Sequence, residues 1–397
     1  MATRNRTASG PQMAHPLCGA NPGTLVPALL GNGGIGTGQT GRALGALGAA
    51  LGRLPLSLAE RAWMSLRVPA TLEQPPVFII GHWRSGTTHL YNIMSRGDFA
   101  YVPPVATGLP WDMLLIGRAF RRVLDQALPD SRLIDNVPVE PDSPQEDEIA
   151  LASMTRHSFY HALYFPERFD RNLARGLWFE GVDAAGVRQW QHRVRHLYTK
   201  LAHAQDGRRL LIKNPVYTGR VAMLAGMFPG ARFVNMIRNP YDVFVSMRNF
   251  YAKLLPELAL QDHSGVDIDQ AVLQVFPRLI DAQRRDTATL APGHFTELRY
   301  EDLESDPLSA IERIYTDLEL PGFDNARPAF DAYLGSVRSY RKNRFEQPAE
   351  VIELVNRHWA RHFDDWGYEM IPVDTAAATV PATGPDDPAD GRQALRE

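Results

Sequence analysis

Apolar residues along this chain follow two rhythms. At 77–80, 210–213, 233–237 and 295–298 they gather into short runs, the length and character of strands buried on both faces. Over 187–204, 218–227, 268–290, 308–318, 326–334 and 350–363, and again from Tyr241 onward, they recur every three or four positions, as on one face of a helix. Strands alternating with helices predict an α/β fold, a central parallel sheet of about four to five strands flanked by helices in three layers.

The two ends break this pattern. Residues 1–50 are rich in Gly, Ala and Pro, and the run Gly31-Asn32-Gly33-Gly34-Ile35-Gly36 is costly to order as a helix. No strand precedes it, so it reads as a linker rather than a nucleotide loop, and 1–50 is predicted to be a flexible extension. Residues 372–397 hold few large apolar side chains and read as a disordered tail. Between them, 51–371 reads as one domain. Near its start Leu47, Leu51, Leu54, Leu58 and Trp63 make one apolar face of helices interrupted at Pro55. That face is expected to pack on the core, with membrane contact or a substrate lid as the alternative. A helix predicted over 111–128 carries Met113, Leu114, Ile116, Phe120, Val123 and Leu124, as core or as the wall of an acceptor pocket.

Charge narrows the partners. Lys and Arg number 42 against 45 Asp and Glu, a net charge of −3, so no global field favours nucleic acid or an anionic membrane and any basic site is local. Cys18 is the single cysteine, leaving no internal disulfide and no cysteine-based metal cluster, which is compatible with a cytoplasmic location. No stretch is apolar enough for a transmembrane segment and no signal peptide is read, while peripheral membrane contact stays open.

The chemistry centres on Pro76-Val77-Phe78-Ile79-Ile80-Gly81-His82-Trp83-Arg84-Ser85-Gly86-Thr87-Thr88-His89-Leu90. A strand, a loop bounded by two glycines and a helix start make an anion site from backbone N–H groups and the helix dipole. Against the P-loop pattern, Gly81, Gly86 and Thr88 are in place, but Thr87 stands where the lysine belongs. A nucleoside triphosphatase needs that lysine on its β/γ-phosphates, so the loop asks for a phosphate-like anion without asking for ATP hydrolysis. Arg84 offers a replacement cation whose planar fork suits a phosphate or sulfonate oxygen pair. Further on, the strand Arg232-Phe233-Val234-Asn235-Met236-Ile237 runs into Arg238-Asn239-Pro240, with Ser246 two turns into the next helix. An arginine at a strand end and a hydroxyl on the following helix suit a second phosphate; Arg238 could equally pair with Asp242 one turn along.

At these two motifs the chain resembles the sulfotransferases that use 3′-phosphoadenosine 5′-phosphosulfate (PAPS), whose Lys/Arg-Ser-Gly-Thr-Thr loop holds the 5′-phosphosulfate and whose Arg-[Asn/Asp]-Pro…Ser segment holds the 3′-phosphate. The family's Leu-Lys-x-Pro strand is similar to Leu211-Ile212-Lys213-Asn214-Pro215, with one extra residue, and Tyr300-Glu301-Asp302-Leu303-Glu304-Ser305-Asp306-Pro307 resembles a further family element. The resemblance spans about residues 76–368. It implies a P-loop-like fold, PAPS as donor, PAP as product, no metal, and transfer to a hydroxyl or amine of a small-molecule, lipid or carbohydrate acceptor. Arg84, Ser85, Gly86, Thr87, Thr88 and His89 then hold the phosphosulfate end, and Arg238 and Ser246 the 3′-phosphate. Arg341 and Lys342 resemble the late basic segment that reaches the 3′-phosphate, or form an exposed basic turn.

The catalytic base is the thin point. Lys213, at a parallel strand end, is expected in the cleft. The histidine that follows this lysine in small-molecule relatives is absent, Asn214-Pro215 standing there instead. Carbohydrate and protein sulfotransferases use a glutamate, so Glu146 and Glu148 are the candidates, with His157 behind them. Pro144 predicts the start of their helix, which sets Glu146 in its first turn and the two glutamates on different faces; capping the helix is the alternative role for each. A His157–His161 pair lacks a third metal ligand. A kinase and a non-catalytic nucleotide-binding module remain the rival readings.

Overall fold

The computed structural model describes residues 15–69, 71–119, 142–337 and 347–373. Through them the chain runs α1 (Pro22–Gly31), α2 (Thr40–Arg67), β1 (Val77–Gly81), α3 (Thr87–Met94), shorter helical turns, α4 (Asp147–Ala152), α5 (Phe169–Trp178), α6 (Ala184–Ala204), β2 (Leu211–Lys213), α7 (Val221–Met227), β3 (Arg232–Ile237), α8 (Pro240–Leu258), α9 (Ile268–Thr287), β4 (Phe295–Arg299), α10 (Tyr300–Ser305), α11 (Pro307–Asp317), α12 (Phe323–Ser336) and α13 (Ala349–Trp366). Among the described residues the sheet has four strands, in the order β2-β1-β3-β4, every pairing parallel.

Side-chain alternation divides the interior into two layers. Phe78, Ile80 and Phe233 join a core with residues of α6, α8, α9 and α13. Val77, Ile79, Val234 and Met236 join a second with α3, α11 and α12. Both faces of the inner strands are covered, which is why their sequences are apolar without alternation. Helix starts follow their local signals: Asn239 accepts from Tyr241 N (3.0 Å) ahead of Pro240, and Asp306 from Ser309 N (3.2 Å) ahead of Pro307. The chain leaves β1 for β2 on one side and returns to β3 on the other, so the topological switch lies between β1 and β3. Ligand crevices of such sheets open there, outside the carboxyl strand ends.

The N-terminal region differs from the predicted flexible extension. From residue 15 onward it is folded onto the domain, and the boundary expected at residue 50 falls inside α2. Leu17, Leu25 and Ala28 are buried. The glycine run is a pinned turn: Gly33 and Gly34 sit at φ 95° and 102°, and Gln261 Nε2 donates to the carbonyls of Asn32 (2.7 Å) and Gly34 (2.9 Å). Glycine there supplies positive φ rather than flexibility. Within α2, Arg53 donates to both oxygens of Asp112 (2.6 and 2.9 Å), and Glu60 meets Lys200 at 2.5 Å with both side chains fully buried.

The apolar face expected to pack on the core also differs. The buried positions of α2 are Ala43, Ala46, Ala50, Ser57, Glu60 and Met64. Leu51 and Leu58 are each 54% exposed and Trp63 38%, so these point outward, while Leu47 packs against the core as expected. Packing on α1 and on Lys200 favours small side chains and one carboxylate on the inner face. The helix predicted over 111–128 is described only as far as Leu115–Ala119, its remainder lying outside the described residues. So does the predicted tail, from residue 374.

Candidate active site

The β1–α3 loop is built on two glycines at positive φ, where any other residue would force its neighbours to move. Gly81 lies at φ 130°, and a Cβ there would stand 2.4 Å from the Met236 carbonyl of β3; one at Gly86, φ 93°, would stand 2.2 Å from the Tyr300 ring. Thr218 Oγ1 accepts from Gly81 N (2.8 Å) and donates to Gly81 O (3.0 Å), fixing the strand end. Ser85 Oγ donates to His82 O at 2.7 Å, closing the loop on itself. α3 starts at Thr87 with no side-chain cap, which leaves a helix N-terminus facing the loop. His89 lies in that first turn with its N–H returned to Gly86 O (2.9 Å). Arg84 sits in the left-handed region, φ 71°, a conformation that costs a non-glycine residue about 1 kcal/mol or more and is kept by its surroundings.

Arg84 is held by the second motif. Its Nε donates to the buried Ser246 Oγ at 2.8 Å. Arg238 Nη1 donates to the Arg84 carbonyl (3.3 Å), its guanidinium lies 4.5 Å over the Tyr300 ring, and Nη2 donates to Asp242 (3.3 Å). The helical pairing with Asp242 is therefore present together with the loop contact. Arg238 Nε is buried and has no hydrogen-bond partner among the described residues. The two phosphate motifs, separate in sequence, share one cluster.

Lys213, ending β2, is buried and donates Nζ to Glu146 Oε1 and to Thr88 Oγ1 (3.3 Å). Glu146 does not lie in the first turn of a helix begun at Pro144: α4 starts at Asp147, and Glu146 is extended at φ −72°, ψ 133°. The cause is upstream, where Gln145 N donates to Val102 O (2.8 Å) and keeps this stretch straight.

Three consecutive carboxylates then take different roles. Asp147 is fully buried, accepting at Oδ1 from Asn214 Nδ2 (2.8 Å) and at Oδ2 from Tyr198 (2.8 Å) and Tyr217 hydroxyls. Glu148, also buried, accepts at Oε1 from Ser158 Oγ (2.7 Å) and Phe159 N (2.8 Å), and at Oε2 from Asn214 Nδ2 (3.1 Å). Glu146 alone keeps an open oxygen: Oε1 meets Lys213, Oε2 makes no hydrogen bond among the described residues, and the side chain is 12% exposed. The structure thus brings Thr88, Glu146 and Lys213 together beside the start of α3, sets Arg84 against Ser246 and Arg238, and leaves Glu148 inside the fold. His157 sits against Phe179 and the start of α6, its ring neutral because burial lowers its pKa to about 4. His161 has its ring nitrogens 3.2 and 2.9 Å from the backbone carbonyls of Arg156 and Ala152, the neutral ring donating its one N–H to one of them. Arg341 and Lys342 lie outside the described residues.

Sequence reasoning missed Asn214 as a positive feature. Read as the missing histidine, it is the side chain that ties Asp147 to Glu148. Tyr300 was visible in its motif, yet its ring is both the floor under Gly86 and the platform for Arg238.

Burial raises Asp147 to about 7, the Tyr217 hydrogen bond pulling the other way and the Glu148 charge adding to the rise. Stability from a carboxyl with a raised pKa is complete below its ordinary value and is lost as pH climbs through the folded one. Asp147→Asn, neutral throughout, should gain on the wild type between about pH 4 and about pH 7. Calorimetric Tm values across that range test it: a constant difference would mean that folded Asp147 titrates as the unfolded chain does, its pKa not raised by burial.

A model of the Sulfotransferase family matches residues 75–325. In sequence the chain is 28% identical over 330 residues to the omega-hydroxy-beta-dihydromenaquinone-9 sulfotransferase Stf3 of Mycobacterium bovis, covering 83% of this chain and 84% of that one, and equally to its counterpart in Mycobacterium tuberculosis. In structure it is similar to sulfotransferase STF9 from Mycobacterium avium, TM-score 0.64 at 17% identity, covering 87% of this chain and 90% of that one. STF1 from Mycobacterium tuberculosis gives 0.59 at 18%, covering 85% and 90%.

Proposed function

The chain belongs to the sulfotransferase family, and from that premise we propose that it transfers a sulfuryl group from PAPS to the hydroxyl of a lipid-like alcohol, releasing PAP. The observation that carries the donor reading is the convergence of three cations, Arg84, Lys213 and Arg238, on the carboxyl ends of β1, β2 and β3 around the uncapped start of α3. The buried, unpartnered Nε of Arg238 supports an anion beside it.

Ser85, Gly86, Thr87 and Thr88 would hold the 5′ end of the donor, with Arg84 over it, and Arg238 and Ser246 the 3′-phosphate. When bound, PAPS supplies the sulfuryl group on a phosphate leaving group. The protein's part is positioning and electrostatics, as in phosphoryl transfer. Arg84 offers fixed positive charge where charge shifts. Lys213 holds Glu146 Oε1 toward Thr88, and Glu146 Oε2 takes the proton of the acceptor hydroxyl. Asn214, Asp147 and the two tyrosines keep the backbone at Glu146 in place from behind.

The Mycobacterium bovis relative is named for an omega-hydroxylated menaquinone derivative, and a long-chain alcohol is the class extended to this chain.

PAP should raise the Tm, by about 2.7 kcal/mol of stabilisation at a concentration of 100 Kd. ATP with Mg²⁺ should do so far less, because Thr87 replaces the P-loop lysine. Equal stabilisation by both nucleotides would sink the donor assignment and restore the kinase reading.

A further inference from the structure

α2 buries its poor side and exposes its apolar one. Over 28 residues, Ala43, Ala46, Ala50, Ser57 and Glu60 face the domain. Leu44, Leu51, Leu58 and Leu66 face outward, with Leu44 63% and Leu66 82% exposed. At 100° per residue these four leucines fall within about 80° of one another, and Pro55, Ala59 and Ala62 fill the same stripe. Apart from the helix's own nearby backbone, no described atom lies within 4 Å of where a Cβ would stand at Gly45, Gly48 or Gly52. Among the described residues, nothing covers this face.

The flanks of the stripe are basic. Arg61 and Arg67 are exposed at the end of α2, and Arg195 and His192 are exposed on the neighbouring α6, where partial burial first and then the charges of Arg193, Arg61 and Arg195 depress the His192 pKa. Among the described residues Arg61, Arg67 and Arg195 form no ion pair, although the chain as a whole carries a net charge of −3. Trp63 stands at the border, edge-on to His203. A leucine face, an interfacial tryptophan and a local set of unpaired arginines are complementary to the apolar and anionic parts of a lipid surface together. No helix of the described residues is long and apolar enough to cross a membrane, so α2 would lie in the interface plane.

We infer that the outward face of α2 seats the protein on an anionic lipid bilayer. On its inner face Glu60 accepts from the backbone N–H groups of Leu114 (3.0 Å) and Leu115 (2.8 Å), so the seat carries the stretch expected to border the acceptor within a helix diameter of the lipid. The inference stands apart from the donor assignment, since its test needs neither PAPS nor turnover.

The full chain is floated with vesicles of phosphatidylcholine and phosphatidylglycerol at 3:1 in about 0.1 M salt. The wild type should float with them. Leu51→Glu/Leu58→Glu should bind at least about tenfold more weakly, and Arg61→Glu/Arg67→Glu should lose the preference for anionic over pure phosphatidylcholine vesicles. Should the leucine variant fail to fold, Leu58→Cys on a Cys18→Ser background, labelled with an environment-sensitive dye, gives a second readout: a blue shift on vesicles supports the seat and its absence overturns it. Wild type that stays in solution, or a leucine variant that floats as well as wild type, overturns it too. So does a concentration-dependent dimer dissolved by Leu51→Glu/Leu58→Glu without vesicle binding, which would give the face to a second copy of this chain.

Discussion

Replacing Glu146 by glutamine should cut turnover about 10²–10⁴-fold while PAP binds as before. The expectation rests on a difference between neighbours. Asp147 and Glu148 spend both carboxylate oxygens on buried donors, whereas Glu146 keeps Oε2 open beside Lys213 and Thr88. Glutamine preserves shape and an acceptor toward Lys213 but cannot take a proton. Steady-state kinetics with labelled PAPS, paired with PAP titration calorimetry, separates the two effects. Turnover at the parental rate would remove Glu146 as the base. Glu148→Gln is the informative contrast: its NH2 group would meet a donor in either orientation, Ser158 and Phe159 on one side or Asn214 Nδ2 on the other, so the expected loss is of stability, on the order of 1–3 kcal/mol.

Arg84→Ala should lower kcat about 10²–10³-fold, the range seen when one preorganised charge or donor is removed from a transition state. Arg238→Ala should chiefly weaken PAP binding, since the 3′-phosphate is remote from the transferred group. The Arg84 Nε to Ser246 Oγ bond adds a refinement. Losing Arg84 frees the Ser246 hydroxyl, so Arg84→Ala should also weaken PAP, but less than Arg238→Ala does. A kcat effect confined to Arg238→Ala would mean that the two arginines exchange roles.

Much of this was legible before any coordinates. Strands buried on both faces announce themselves as short apolar runs, and β1, β3 and β4 lie within a residue or so of where the runs predict them. Gly81 and Gly86 were legible because a positive-φ turn against a neighbouring strand and ring tolerates nothing larger. The carboxylates were not. Asn214 lies 67 residues from Asp147 in the chain, and no local pattern signals which of three adjacent acids finds its donors there. α2 was misread for the opposite reason. Its leucine period is genuine, but period alone does not say which face is inward, and a buried Glu60–Lys200 pair decided it.

That pair also fixes where the folding unit begins. The family match starts at residue 75, yet Lys200, fully buried, has its counter-charge at Glu60, and Asp112 has its own at Arg53. A protein cut to the matched segment would keep both buried charges and lose both partners. Removing one partner of a buried pair costs about 3–5 kcal/mol, a large part of a domain's whole margin of stability. The family-matched segment and the autonomous physical domain are thus different lengths of chain, and the shorter cannot stand in for the longer.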